Sequence, residues 1–308
     1  MKKLLVMFAA LGLVAGCAQP GNINKETSLA QMRPTAEAGN AEAQNELGFM
    51  YQSGEGAPQD LREAVKWFRK AADQGNAQAQ YNLGLMFFEG RGVKKNYRQA
   101  AEWFQKAAAQ GVPLAQFNLG VIYAEGYGTP KNDRLAAELW QKAAERGHVG
   151  AQCNLGLLFS EGSGVPKNDR KALEWMQKAA AQGAPVAQYN LGSFYAEGHV
   201  TPQNYRQAAE WFQKAAEQGY VRAQTSLGFM YLKGRGVSQN DRKAAEWWQK
   251  AAVQGHDRAQ TRLGLMYLEG RGVSQNDRQA AEWLQKAAAQ GEKEAKELLT
   301  YMKRAGRM

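Results

Sequence analysis

Cysteine is nearly absent from this chain, because only Cys17 and Cys153 occur among its 308 residues. Two cysteines form at most one disulfide, which excludes the class of small exported domains that are held together by a disulfide framework. The fold must therefore be held by packing, and a hydrophobic content of 44% provides ample material for a core.

Histidine is also scarce, with three copies at His148, His199 and His256. They lie too far apart to share a metal ion, and none has a serine or cysteine placed as a nucleophile would be. The glycine-rich string at residues 90–92 follows no predicted strand and lacks the lysine of a phosphate-binding loop. We therefore predict no catalytic residue, no metal site and no cofactor, and we expect the histidines to be exposed or helix-capping.

Long apolar runs are missing except at residues 4–14, which follow Lys2 and Lys3. This run is too short to cross a bilayer and has the length typical of a secretory signal peptide. Its last residue begins the string Val-Ala-Gly-Cys at residues 14–17, which resembles the bacterial lipobox. Ordinary signal-peptide cleavage after Ala18 is the alternative. We predict a signal peptide over residues 1–16, lipidation of Cys17, and a polar tether over residues 17–28.

The residue after Cys17 indicates the membrane to which a lipoprotein of this type is sorted. Ala18 stands there, and in lipoproteins of this type a residue other than aspartate implies sorting to the outer membrane. We expect an exported protein of the cell envelope that faces the periplasm and is held to the membrane by its lipid. Loss of Lys2 and Lys3 lowers the formal charge from +10 to +8. No nucleic acid is expected as a partner, whereas anionic lipid, envelope polymers or acidic proteins would suit this charge. A well-solvated surface without a charged partner is the open alternative.

The body of the chain is repetitive. The dipeptide Ala-Gln recurs every 36 residues without insertion or deletion, and its glutamines are Gln44, Gln80, Gln116, Gln152, Gln188, Gln224 and Gln260. A fixed period of this size is typical of a stacked-repeat protein, in which each unit buries its apolar face only against its neighbours.

Each repeat reads as two helices. In the repeat at residues 76–111, apolar residues follow helical spacing from Ala79 to Phe87, and a glycine-rich loop separates them from a second helix. Asn96 precedes that second helix as an N-cap, and Gly111 follows it as a left-handed terminator. The pattern predicts an all-α protein built from helix pairs.

Two further residues recur with the same period. Gly84 lies in mid-helix, where glycine costs about 1 kcal/mol relative to alanine, yet every repeat has a glycine there. This predicts a close approach by another helix. Tryptophan recurs on the second helix, as at Trp103, and we interpret the third repeat, with Leu139 followed by Trp140, as shifted by one residue.

Three strings resemble a known family: Ala-Gln-Tyr-Asn-Leu-Gly at residues 79–84, Glu-Gly-Arg-Gly-Val at 89–93, and Ala-Ala-Glu-Trp-Phe-Gln-Lys-Ala-Ala at 100–108. They resemble the Sel-1-like repeat (SLR), a relative of the tetratricopeptide repeat, here of an exported bacterial lipoprotein type. The resemblance implies a right-handed α/α superhelical solenoid of seven 36-residue helix pairs over residues 40–291. Degenerate capping helices are expected at residues 29–39 and 292–308.

The resemblance also implies where a partner binds, because the first helices of tetratricopeptide repeats line a concave groove. Alignment places the positions equivalent to 78, 81, 82, 85, 88 and 89 toward it. Aromatic residues and asparagines occupy this surface in the central repeats, and arginines occupy it in the last two. The candidate groove residues are Tyr81, Asn82, Phe117, Asn118, Asn154, Tyr189, Asn190, Arg222, Arg258 and Arg262.

A row of asparagines suits an extended peptide, because each amide both donates and accepts hydrogen bonds. In the open alternative, the aromatic residues pack against the adjacent helix and the asparagines bond neighbouring repeats.

We predict a non-enzymatic scaffold or adaptor of the cell envelope, whose groove binds a segment of another protein or a peptide. Two alternatives stay open: a binder or weak hydrolase of β-lactams or cell-wall fragments, and a secreted host-interaction factor. The family members linked to β-lactams carry a disulfide in each repeat. This chain has no disulfide in its repeats, so the resemblance does not by itself support that activity.

Overall fold

The computed structural model describes residues 29–308. The predicted signal peptide, Cys17 and the polar tether lie outside these residues. Within the described range all sixteen elements are α-helices and no strand occurs, which confirms the predicted all-α architecture. No helix in this range combines the length and the apolarity needed to cross a membrane.

The chain divides into two compact units, and the first ends at Asn168. Its helices form an N-terminal single helix followed by antiparallel pairs and one further first helix. They are α1 Leu29–Glu37, α2 Ala41–Ser53, α3 Leu61–Asp73, α4 Ala77–Glu89, α5 Tyr97–Ala109, α6 Pro113–Glu125, α7 Asp133–Glu145 and α8 Val149–Glu161.

The second unit, Asp169–Met308, begins with a second helix, continues in pairs and closes with a single helix. Its helices are α9 Asp169–Ala181, α10 Pro185–Glu197, α11 Tyr205–Glu217, α12 Val221–Lys233, α13 Asp241–Val253, α14 Asp257–Glu269, α15 Asp277–Ala289 and α16 Lys293–Arg304.

The second helices begin at the caps that the sequence predicts. The side chain of Asn96 accepts a hydrogen bond from the backbone N–H of Gln99 at 3.1 Å, which satisfies a donor that the helix itself leaves unpaired. The same cap is formed by Asp60, Asn132, Asn204, Asn240 and Asn276. Gly111 follows α5 with a φ of +85°, so it terminates the helix in the left-handed conformation as predicted.

The glycine in mid-helix marks the contact between the two helices of a pair. A Cβ atom added to Gly84 would lie 2.6 Å from Cδ1 of Phe104, whose ring is fully buried on α5. The predicted close approach is therefore confirmed, and the neighbour is a large side chain. The same contact pairs Gly48 with Phe68, Gly120 with Trp140, Gly192 with Phe212, Gly228 with Trp248, and Gly264 with Leu284.

This contact corrects the interpretation of the third repeat. Trp140 is not a shifted copy of Trp103, because it occupies the inner position held by Phe104 in the preceding repeat. Its indole N–H donates to the carbonyl oxygen of Phe117 at 3.1 Å. The outer position of Trp103, where the ammonium of Lys106 lies 3.8 Å from the ring centroid, is held by Leu139.

The recurring glutamines join one repeat to the next. Gln80 is buried, and its amide N–H donates to the carbonyl oxygen of Ala72 at 3.2 Å, in the last turn of the preceding helix. Its amide oxygen accepts from Gln110 at 2.8 Å, and Gln110 also donates to the Gly75 carbonyl at 3.0 Å. Equivalent pairs are Gln44 with Gln74, Gln188 with Gln218, Gln224 with Gln254, and Gln260 with Gln290.

One junction departs from this pattern. Arg146 replaces the second glutamine, and its guanidinium donates to the Gly111 carbonyl. Gln116 still donates to Ala108 at 3.2 Å, but its buried amide oxygen has no hydrogen-bond partner within the described chain. This junction therefore keeps two of the three bonds, and a buried acceptor left unpaired is destabilising.

The chain segments at the two described ends repeat contacts that the full repeats make with their neighbours. At the N-terminal end, α1 offers the carbonyl of Ala36 to the amide of Gln44 at 2.9 Å. At the C-terminal end, Gly306 adopts a φ of +65° after α16, and Arg307 pairs with Asp277 at 2.6 Å. The arrangement of Arg307 copies that of Arg271, which pairs with a carboxylate of the preceding repeat at 3.1 Å.

Two first helices are capped by histidine instead of asparagine. The Nδ1 atom of His148 accepts from the backbone N–H of Ala151 at 3.1 Å, and its ring stacks on Phe117 with centroids 4.4 Å apart. Burial lowers the pKa of His148 to about 4, because the charged ring would lose its hydration. His256 caps in the same way, and burial is the largest cause that lowers its pKa.

We predict that Gly84→Ala destabilises the protein. Overpacking against Phe104 costs about 1–3 kcal/mol, whereas the higher helix propensity of alanine returns up to about 1 kcal/mol. Urea unfolding should show the loss, and Phe104→Leu in the same chain should recover part of it. Gly264→Ala is the comparison variant, because its added Cβ would lie 2.8 Å from the nearest atom of Leu284 instead of 2.6 Å from Phe104, and it should cost less. Additive effects of Gly84→Ala and Phe104→Leu would contradict the contact.

We predict that His148→Asn removes part of the acid sensitivity of the fold. The unfolded histidine binds a proton more readily than the folded one, so its contribution is complete above pH 6.5 and is lost as the pH falls toward 4. Asparagine caps the equivalent position at Asn76 without titrating. Between pH 7 and 4 the free energy of unfolding should fall by about 2–3 kcal/mol less in the variant. Equal pH slopes in urea titrations of the two proteins would refute this account.

Candidate functional site

The aromatic candidates of the first unit are interior residues. Tyr81 is 0% exposed and packs on Phe104 with ring centroids 5.8 Å apart. Phe117 is 3% exposed and lies between Trp140 and His148. The structure therefore places both side chains within the helix packing, and neither offers a surface to a partner.

The asparagine candidates are also buried. Asn82, Asn118, Asn154 and Asn190 are between 2% and 7% exposed. The amide of Asn82 donates to the side-chain oxygen of Asn45 in the preceding repeat at 3.0 Å. For Asn82, the structure thus favours the alternative in which the asparagine bonds a neighbouring repeat.

The candidates of the second unit are more accessible. Tyr189 is half-buried, and its ring packs on Phe212 and Tyr220 with centroids 5.4 and 5.3 Å away. Arg222 and Arg258 are exposed, and Arg262 is half-buried. The arginines lie on the first helices α12 and α14, as the alignment predicts.

The central residue of this surface is Phe229, which was not among the predicted candidates. It is half-buried on α12, its ring lies edge-on to Trp248 at 5.1 Å, and the guanidinium of Arg262 lies 5.6 Å from its centroid. Its position is equivalent to Leu85, which is 5% exposed. A large aromatic residue at a position aligned to the groove is the sequence signal that could have identified it.

Two cavities flank Phe229. The first has a volume of about 310 Å³ and is lined by Ala196, Tyr205, Phe212, Phe229, Met230, Lys233 and Arg235. The second has a volume of about 250 Å³ and is lined by Phe229, Arg258, Thr261, Arg262, Glu292 and Glu294. We call this surface, with the exposed Arg222, the Phe229 face.

The charges of the Phe229 face are unevenly paired. Arg262 and Glu294 form a bidentate ion pair, with both N–O distances at 2.8 Å. In the described chain the side chains of Arg222, Arg258 and Lys233 have no such partner. Arg258 and Arg222 both lie close enough to His256 to lower its pKa, after the larger effect of burial and against the opposing effect of Asp257.

Among the residues that the structure describes, no cluster of histidine, cysteine, aspartate and glutamate side chains could hold a metal ion. The arrangement around Phe229 instead offers an apolar ring, two concave surfaces and unpaired cations. These are the elements of a binding surface for a partly apolar ligand.

Comparison with known proteins gives a family match over residues 41–292, except for residue 184. The model of the Sel1 repeat family matches residues 41–76, 77–112, 113–148, 149–183, 185–220, 221–256 and 257–292. The match confirms the seven repeats that the sequence predicts, with boundaries one residue later. Together with the helices described above, it confirms the all-α solenoid class.

Solved structures and curated proteins give related matches. The chain is 37% identical to a Sel1 repeat protein from Oxalobacter formigenes, with a TM-score of 0.76, and the match covers 89% of this chain and 79% of that one. It is also 37% identical to a protective antigen of uropathogenic Escherichia coli strains that displays an SLR fold, with a TM-score of 0.84 over 90% of this chain and 59% of the antigen.

A shorter match relates the chain to the secretory immunoglobulin A-binding protein EsiB of Escherichia coli O6:H1. The two are 42% identical over 72 residues, which is 23% of this chain and 14% of EsiB. The chain therefore spans only a small part of that relative and 59% of the antigen.

Proposed function

The chain belongs to the Sel1 repeat family, and we propose that it is a non-enzymatic, lipid-anchored scaffold of the bacterial cell envelope that binds a segment of another protein on the Phe229 face. Members of this family generally mediate protein–protein interactions and are typically not catalysts. The observation that supports this face is the half-exposed ring of Phe229 between two cavities.

An aromatic side chain in this position has the properties of an interface anchor. Trp248 and Arg262 hold the ring of Phe229 in place, so little conformational entropy is lost when a partner covers it. The cavities on its two sides can receive side chains of the partner. Binding energy in protein interfaces concentrates at such well-packed aromatic and arginine residues.

The predicted groove residues of the first unit are buried, which supports the choice of the Phe229 face in the second unit. Tyr81, Asn82, Phe117 and Asn118 are already packed against their own helices, and exposing them would break contacts that hold neighbouring repeats together. In the second unit, Arg222, Arg258 and Phe229 are accessible without any rearrangement. A partner therefore gains contacts on the Phe229 face at little cost to the fold.

The cellular part of the proposal rests on the lipobox-like string at residues 14–17. Cys17→Ser should move the protein from the membrane fraction to the soluble fraction and abolish palmitate labelling. Membrane retention with unchanged labelling would refute the lipid anchor. Protease treatment of intact cells, applied to the parent protein, separates a periplasmic protein, which is protected, from a surface-exposed one, which is cleaved.

The surface-exposed outcome would favour a second candidate function. EsiB binds secretory immunoglobulin A by its name, and the match over 72 residues brings a host protein into consideration as a partner. The proposed binding face is the same in both cases, and the location of the chain decides which partners can reach it.

The binding face itself can be tested by photo-crosslinking in cells. A benzoylphenylalanine residue placed at position 229 should yield a discrete crosslinked product, because the ring is positioned to contact the partner. The matched control places the same residue at position 242 on the second helix α13, where Arg242 is 82% exposed. No product from position 229, or the same product from both positions, would remove the Phe229 face from the proposal.

A further inference from the structure

The charges and cavities around Phe229 also define the chemistry of the occupant. We infer that the segment bound on the Phe229 face is acidic and contributes one apolar or aromatic side chain to the cavity beside Phe229. This inference rests on the proposed function of that face and adds the class of partner to it.

The first step is the surplus of positive charge. Lys233 and Arg235 line the larger cavity, and Arg258 and Arg262 line the smaller one, where the only carboxylates are those of Glu292 and Glu294. Glu294 is committed to Arg262 through two hydrogen bonds of 2.8 Å. Glu292 balances the second cation of the smaller cavity and also accepts from the backbone N–H of Ala295. The positive surplus therefore lies at the larger cavity, whose lining holds Lys233 and Arg235 and no carboxylate. Opposite charge is what such a surface recognises.

The second step is a precedent within the chain. Glu294 stands 36 residues after Arg258, and Arg258 stands 36 residues after Arg222, so the three residues occupy equivalent positions on successive first helices. Between the last two first helices, the carboxylate of Glu294 pairs with Arg262. One repeat earlier, Arg258 occupies the position of Glu294 and Ser226 occupies the position of Arg262, so a cation replaces the carboxylate. A carboxylate from another molecule would give Arg258 the charge-assisted hydrogen bonds that Glu294 gives Arg262.

The third step is the apolar cavity. Phe212, Met230 and Phe229 form part of the wall of the 310 Å³ space, and Lys233 and Arg235 also border it. A cavity with this lining suits an apolar side chain whose neighbours in the ligand are negatively charged. A lipid headgroup or a nucleic acid phosphate would satisfy the cations but leave the cavity unfilled, so a peptide uses more of the site.

The probe for the experiment is a fluorescein-labelled peptide of the sequence Glu-Glu-Asp-Phe-Glu-Glu. It is titrated with the full-length protein, and binding is followed by fluorescence anisotropy. Two matched peptides replace either the acids by their amides or the phenylalanine by glycine. We expect each matched peptide to bind about tenfold more weakly or worse. Binding of the acidic peptide should also weaken as salt rises from about 0.05 M to 0.3 M.

The matched protein variants change charge on exposed positions, so that folding is retained and can be checked by circular dichroism. The double variant Arg222→Glu with Arg258→Glu should lose at least about tenfold in affinity. The control Arg242→Glu with Arg278→Glu makes the same change in net charge at exposed positions of second helices and should bind like the parent. Phe229→Leu should weaken the acidic peptide while leaving its salt dependence in place.

Three results would overturn the inference: equal binding of the acidic and amide peptides, equal binding by the Arg222→Glu, Arg258→Glu variant and its control, or selective binding of phosphatidylglycerol vesicles instead of the peptide. The crosslink from position 229 distinguishes these failures from failure of the proposed function. If that crosslink persists in the double variant, the face binds protein and the acidic class is wrong.

Discussion

The buried glutamine at the start of each first helix is the constraint on which the stacking depends. An amide in a dry interior must find partners for its donor and its acceptor, and Gln80 finds them on the preceding helix and on Gln110. These two hydrogen bonds fix where each helix ends relative to the next. A residue inserted between Ala72 and Gln80 would move the amide away from its partners, so these contacts require a constant spacing at each junction.

The mid-helix glycine sets the second distance, the separation of the two helices within a pair. Gly84 and its equivalents leave room for a side chain from the second helix. That side chain is phenylalanine, tryptophan or leucine in different repeats. The framework therefore tolerates change at the inner position, and the first-helix surface can vary independently. On that surface Tyr81 and Phe117 of the first unit are buried, whereas Phe229 of the second unit is half-buried.

Much of this fold could be predicted from the sequence, because its determinants are local. The Asn96 cap, the Gly111 terminator and the close approach at Gly84 follow from residue chemistry, and the structure confirms each of them. The surface was harder to predict. One residue along a helix turns a side chain by about 100°, so an alignment to a related fold does not separate Tyr81, which points into the packing, from residues that face solvent. The partial exposure of Phe229 cannot be predicted from the sequence for the same reason, since it depends on neighbours in other repeats.

The C-terminal helix has a consequence for how proteins of this kind change length. Gly306 and Arg307 reproduce the loop of a further repeat, so the last full repeat meets a terminus shaped like another copy of itself. A gene duplication or deletion of one whole repeat ahead of residue 257 would leave that terminus and its ion pair untouched. Whole repeats ahead of this pair can thus be gained or lost without disturbing the contact between Arg307 and Asp277.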